Sequence, residues 1–252
     1  MDRAEFKTLL DDEFHRLFQA ARSHDDLSFI FAILGINSGT EDLGWQPIGE
    51  TQALVRDLVG LINSPLYDDA RARIALLLYC HITEANFLYH CIYNLLLSAE
   101  GQPPKVFNFL DKYKNGVPPS VPAKLAEINA KSVQLGLSGI KLIFDEIIRP
   151  EIRNAFFHSD YIIFDDELRL KHRGSQYAKI PLRDVFALLE KTMDFFNSFM
   201  EALMKARRSF PRGHMITNRK SLTGVPLCSV EVLVDDQGVV YGFQGSDPLP
   251  IW

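Results

Sequence analysis

From about Asp68 to Ser98 the chain carries its longest run of apolar residues at helical spacing. Ile74, Leu77, Leu78, Tyr79, Ile82, Phe87, Leu88, Ile92, Tyr93, Leu95 and Leu96 cover more than one stripe of a helix. A helix apolar on several sides must be enclosed on several sides, so other elements have to surround it. Asp68 or Asp69 is placed to cap its start, and Gly101-Gln102-Pro103-Pro104 ends it.

The neighbours supply that enclosure. Residues 5–22 read as an amphipathic helix, with Phe6, Leu9, Leu10, Phe14, Leu17 and Phe18 on one side. Shorter helical patterns cover 27–36, 51–63, 123–135 and 137–148, and one helical turn or two fits 105–113. Loops are expected where Asn37-Ser38-Gly39-Thr40, Gly44-Trp45-Gln46-Pro47 and the Pro-rich stretch 115–122 stand. Pro150 lacks the N–H that a helix interior needs, so it kinks a helix or opens a new one at the first position. Residues 181–206 form another amphipathic pattern. Tyr161 to Phe164 and Leu168 to His172 read as a β-hairpin, and so do Val230 to Val234 and Val239 to Phe243 around Asp235-Asp236-Gln237-Gly238. The fold expected is mainly α with two small β-hairpins. It divides into N-terminal helices over 1–50, a helical domain over 51–206 with a hairpin insertion at about 161–172, and a basic linker with a hairpin over 207–252.

Composition narrows the class. With 252 residues and 47% hydrophobic content, the chain can bury a core without staples. A net charge of −5 argues against a generally basic nucleic-acid coat protein but leaves room for a local basic groove. Cys80, Cys91 and Cys228 form no CxxC pair, which fits buried thiols in a reducing, cytoplasmic compartment. Neither a signal peptide nor a membrane span is expected from the charged start and the lengths of the apolar runs.

The chemistry-bearing stretch is Pro150 to Tyr161. Arg153, Asn154 and His158 follow the pattern R-N-x-x-x-H. On a helix Asn154 and His158 share a face, while Arg153 lies roughly 140° around from His158. Arg153 can pair with Glu146, Glu151 or Asp160, and His158 can sit at a helix C-terminus, where positive charge is favoured. Glu84 is an acid on an apolar helix and needs a partner, for which Arg153 is a candidate.

This stretch resembles the HEPN superfamily (higher eukaryotes and prokaryotes nucleotide-binding). Its hallmark is an Arg followed, after four to six residues, by a His, often with a polar residue directly after the Arg. The resemblance covers about residues 65–206 and implies a HEPN-like up-and-down helical bundle. It also implies a metal-independent endoribonuclease that needs no cofactor, and a homodimer whose two motif copies line a shared cleft. The setting implied is toxin–antitoxin or anti-phage defence, with an antitoxin or other partner protein. His158 would activate the ribose 2′-hydroxyl or protonate the leaving 5′-oxygen, since histidine is the side chain that changes charge near neutral pH. Arg153 would bind the scissile phosphate. Asn154 would orient one or the other, with Glu84, Asp160 and Tyr161 in support. Other family members keep the fold and bind nucleotide, RNA or a partner without catalysis, and a helical dimerisation scaffold is a third class.

Two further clusters stand out. Arg169 and Lys171 follow the motif, and between Lys205 and Lys220 there are six basic residues with no acid. Arg169, Lys171, Arg207, Arg208 and Arg212 are therefore expected to meet RNA phosphates, with a solvated linker as the alternative for the later run. Cys80, His81, Glu84, His90 and Cys91 match no strong metal spacing, and no metal is assigned. No phosphate loop, nucleophile elbow or HExxH occurs.

Overall fold

The computed structural model describes residues 1–35, 47–105, 108–109, 119–171, 177–219 and 227–245. Helices α1 (Arg3–Arg22), α2 (Asp26–Leu34) and α3 (Pro47–Ile62) lead into α4 (Asp68–Glu84) and α5 (Asn86–Ala99). Then come α6 (Val121–Gln134), α7 (Gly139–Ile147) and α8 (Pro150–Phe157). Strands β1 (Tyr161–Phe164), β2 (Glu167–Lys171) and β3 (Tyr177–Pro181) form one antiparallel sheet, and α9 (Leu182–Arg207) runs away from it. Strands β4 (Met215–Arg219), β5 (Leu227–Val234) and β6 (Val240–Gly245) form a second antiparallel sheet beyond its far end.

The apolar stripes explain the packing. α1 lies against α5, α7 and α9, so residues 3–22 belong to the central core. Phe14 meets Phe199 edge-on at 5.4 Å, and Phe144 of α7 meets Phe195 at 5.6 Å. α4 packs on α3, α8 and α9, whereas α5 packs on α1, α2 and α6. The first sheet buries Leu168 and Leu170 against α8 and α9. In the second sheet Ile216, Val230, Val232 and Val240 are buried, and β6 packs on α2.

Several expectations need correcting. The single helix over 68–98 is two, because Ala85 is extended (φ −64°, ψ 98°) and turns the chain between α4 and α5. Neither Pro nor Gly marks the break. Tertiary bonds hold it: the Tyr89 hydroxyl donates to the Thr83 carbonyl, and Lys124 Nζ donates to Asn86 Oδ1. Asp68 and Asp69 lie within the first turn of α4, whose N-cap is Tyr67, rather than capping it. Each expected hairpin is a three-stranded sheet, with β3 and β4 added, so the inserted sheet continues to Pro181. Pro150 opens a new helix at its first position. The loops expected at 37–46, the stretch 115–118, most of the turns at 105–113, and His172 lie outside the described residues. Among the described residues no helix is long and apolar enough to cross a membrane.

Candidate functional site

The site is built on the junction between α7 and α8. Tyr79 of α4 reaches it with a buried hydroxyl that donates to the Ile147 carbonyl at 3.0 Å and accepts the Arg149 N–H at 2.8 Å. One side chain therefore satisfies the last carbonyl of α7 and the N–H at the entry to α8, as buried backbone groups require. Burial raises the Tyr79 pKa, so the phenol stays neutral.

α8 then presents the motif. Arg153 pairs with Glu84 across the α4–α8 contact, Nε to Oε1 at 2.6 Å. Their side chains are 40% and 29% exposed. The N–H of Nε is not aligned for a hydrogen bond, so this contact is an ion pair. Arg153 Nη1 donates to Asn154 Oδ1 at 2.8 Å, and the guanidinium lies 5.3 Å from the centre of the Phe157 ring. Of the acids that Arg153 might meet, Glu84 is the one it takes.

His158 is the C-cap of α8 and is exposed. Its backbone N–H donates to the Asn154 carbonyl at 3.0 Å. The Ser159 N–H donates to Phe156 and the Asp160 N–H to Ala155, the bonding pattern of a Schellman cap. Ser159 fills the left-handed position (φ 56°), a place glycine usually takes. Among the described residues no hydrogen bond or ion pair joins the His158 side chain to Arg153 or Asn154. Tyr161 stacks on Phe156 at 5.7 Å, and Asp160 pairs with Lys171 at 3.5 Å.

Behind the ion pair lies the α4–α5 corner, which holds one buried base, Lys124, and two half-buried ones, His81 and His90. Lys124 is 5% exposed and sits 5.7 Å over the Tyr89 ring. Burial lowers its pKa, and the Glu84 charge opposes this in part. His90 is pushed down to about 4 by burial and by the Lys124 charge. His81 is lowered by burial, while burial pushes the Cys80 thiol up to about 12. Cys80 and Cys91 are buried free thiols, and the Cys228 side chain lies outside the described residues. Among the described residues no three metal-ligating side chains converge.

Between this corner, the start of α6 and α8 lies a cavity of about 170 Å³, with Tyr79, Glu84, Val121, Ile148, Arg153 and Asn154 in its wall. Sequence reasoning missed Tyr79, Val121 and Lys124 as site residues. Their apolar or turn-rich settings carry no chemical signature, and only the chain's path brings them beside Glu84.

The expected phosphate-binding residues are divided. Arg169 lies between Phe164 and Tyr177, 4.3 and 5.5 Å from the ring centres, and its Nε meets Glu167 at 3.1 Å. With Lys171 it belongs to the sheet that adjoins α8. Arg207, Arg208 and Arg212 lie at the other end of α9, a helix of 26 residues and so roughly 39 Å long. Arg207 Nε donates to the Val240 carbonyl at 2.9 Å, and Arg212 Nη2 donates to the Asp235 carbonyl and to Asp236, each at 2.9 Å. Arg208 is exposed.

No protein-family model, no curated protein and no solved structure matches this chain.

Proposed function

We propose that this protein is a metal-independent endoribonuclease in which Arg153 binds the scissile phosphate and His158 moves the proton. The observation that carries this reading is how Arg153 is held. Glu84 takes Nε, and Asn154 takes one hydrogen of Nη1. The other N–H groups of the fork have no partner among the described residues, and 40% of the side chain is exposed. An arginine fixed at its inner edge and free at its outer one suits bidentate phosphate binding. His158, exposed at the end of the same short helix, is available as general acid or base. A second copy of the chain, seated on exposed Phe157, Ile162 and Phe164, would add the second motif and complete the cleft. The resemblance sets this activity in a cytoplasmic toxin or anti-phage role.

The test incubates single-stranded RNA in EDTA with the wild type, Arg153→Ala and His158→Ala. The wild type is expected to release 2′,3′-cyclic phosphate ends, and each variant to lose about 100-fold or more in rate. Intact RNA with the wild type, or unchanged cleavage by both variants, sinks the reading. A second reading, a module that binds nucleotide or RNA without cutting, draws on the negative charge that Glu84 places beside Arg153. Binding retained without cleavage would select it.

A further inference from the structure

We propose that the cavity beside Arg153 is a base-recognition subsite that takes a guanine, whether from single-stranded RNA or from a free guanine nucleotide. At about 170 Å³ it is smaller than the roughly 300–1,000 Å³ of sites that enclose a whole drug-sized ligand. It has room for one ring system. Val121, Pro122, Ile148 and Pro150 give it apolar walls suited to the faces of a planar ring. The polar side chains in its wall are Glu84, Arg153 and Asn154, with Arg149 and Ser120 also present and the Tyr79 and Thr83 hydroxyls already donating to backbone carbonyls.

The hydrogen-bonding pattern of Glu84 and Asn154 selects among bases. Glu84 Oε1 faces Arg153, and no hydrogen bond reaches Oε2 among the described residues. A carboxylate is an acceptor only and binds best to two neighbouring N–H donors. Guanine alone among the four RNA bases presents two such donors, N1–H and N2–H, side by side on its pairing edge. Its adjacent O6 is an acceptor. Asn154 uses Oδ1 for Arg153, which leaves its Nδ2 to donate to O6. The attached phosphate would then lie at the outer fork of Arg153, with Arg149 also in the cavity wall. That phosphate contact rests on the reading of Arg153 given above, whereas the base contact does not.

The experiment measures binding of GMP, AMP, CMP and UMP to the full chain by calorimetry. GMP is expected to bind at least about tenfold tighter than the other three, as a good bidentate contact to one base implies. Glu84→Gln replaces one acceptor with a donor and should bring the four affinities within about threefold. Val121→Phe fills the cavity and should weaken all four by about tenfold or more, with its unfolding midpoint measured alongside to separate loss of the cavity from loss of the fold. If that variant does not fold, the affinity ratios in Glu84→Gln decide. Equal binding of GMP and AMP overturns the subsite, and so does a guanine preference that survives Glu84→Gln. Competition by short G-containing oligonucleotides identifies RNA as the source of the base, and competition by mononucleotide alone identifies a free nucleotide. GMP binding without RNA cleavage keeps the subsite and removes the ribonuclease, and cleavage without base preference does the reverse.

Discussion

At the far end of α9 much of the basic charge is tied into the fold, although Arg208 stays exposed. Arg207 and Arg212 are fastened to the Val240 and Asp235 carbonyls, and Arg22 lies 4.6 Å over the Phe210 ring. At the near end, around the α4–α5 corner and α8, polar groups are kept with demands unmet. His81 Nε2, His90 Nδ1 and Arg153 Nε are buried without a hydrogen-bond partner, and Lys124 is almost fully enclosed. Both ends are rich in basic residues, yet only the second pattern costs folding energy. Buried, unsatisfied and pKa-shifted groups gather where a protein keeps chemistry ready, so the contrast supports the site proposed at α8 and a structural role for the cations fastened to the C-terminal sheet.

Exchanging single charges breaks or sharpens this contrast most strongly. Arg153→Ala is expected to lower RNA cleavage by about 100-fold or more, whereas Arg212→Ala should change it by less than about threefold. Arg212→Ala should instead cost less than about 1 kcal/mol of stability, because its side chain and that of Asp236 are largely exposed. Parallel cleavage assays and urea titrations read both quantities. A large cleavage defect in Arg212→Ala would move the RNA contact to the far end.

Acid should expose the cost carried by the near end. The imidazole of His90 has a folded pKa of about 4, below the 6.5 of a free side chain. Between those values the unfolded chain binds a proton that the folded chain refuses, so stability falls as pH drops from about 6.5 to about 4. The full loss from His90 is up to about 3 kcal/mol, and His81 acts in the same direction. His90→Phe keeps the edge-on contact with Phe109 feasible and removes the titration. Unfolding free energies at pH 7, 5.5 and 4 should therefore show a shallower decline in the variant. Parallel declines would mean that other groups set the acid response.

The sequence was most legible where periodicity alone decides. The apolar spacing of Phe6 to Phe18 and of Val185 to Leu203 predicts α1 and α9 to within a few residues, because each helix buries one continuous stripe. Pro150 marks the start of α8 by its missing donor. The Glu84–Arg153 pair was foreseeable because a charge on an apolar helix needs compensation. The turn at Ala85 was not, since Thr83-Glu84-Ala85-Asn86 contains no helix breaker and the bonds that hold it come from Tyr89 and Lys124. Strands β3 and β4 escaped notice because their pairing partners, rather than their own patterns, define them. Tyr177, Ala178 and Lys179 are exposed, and Ile180 and Pro181 are half-buried. Tyr79 reads as one more core aromatic, and nothing in its neighbourhood announces a hydroxyl that spans two helices.

That hydroxyl supports the last and smallest test of the contrast. Tyr79→Phe removes one oxygen and leaves the ring's packing in place. The Ile147 carbonyl and the Arg149 N–H then lose a partner they share. Ile147 is 1% exposed, so water cannot readily replace the bond to its carbonyl. A buried group left unsatisfied costs about 1–3 kcal/mol, and the Arg149 N–H is partly accessible, so about 2 kcal/mol of stability should be lost. The second consequence separates a local from a global role. Arg149 is the N-cap of α8, so hydrogen exchange at the first turn of α8 should accelerate more than in α1, and GMP affinity should fall with it. At the far end of α9 the exchange of β5 and β6 should keep its rank relative to α1. Equal acceleration throughout the chain would make Tyr79 a general core residue, and the near end of α9 would then have no dedicated support beneath its candidate site.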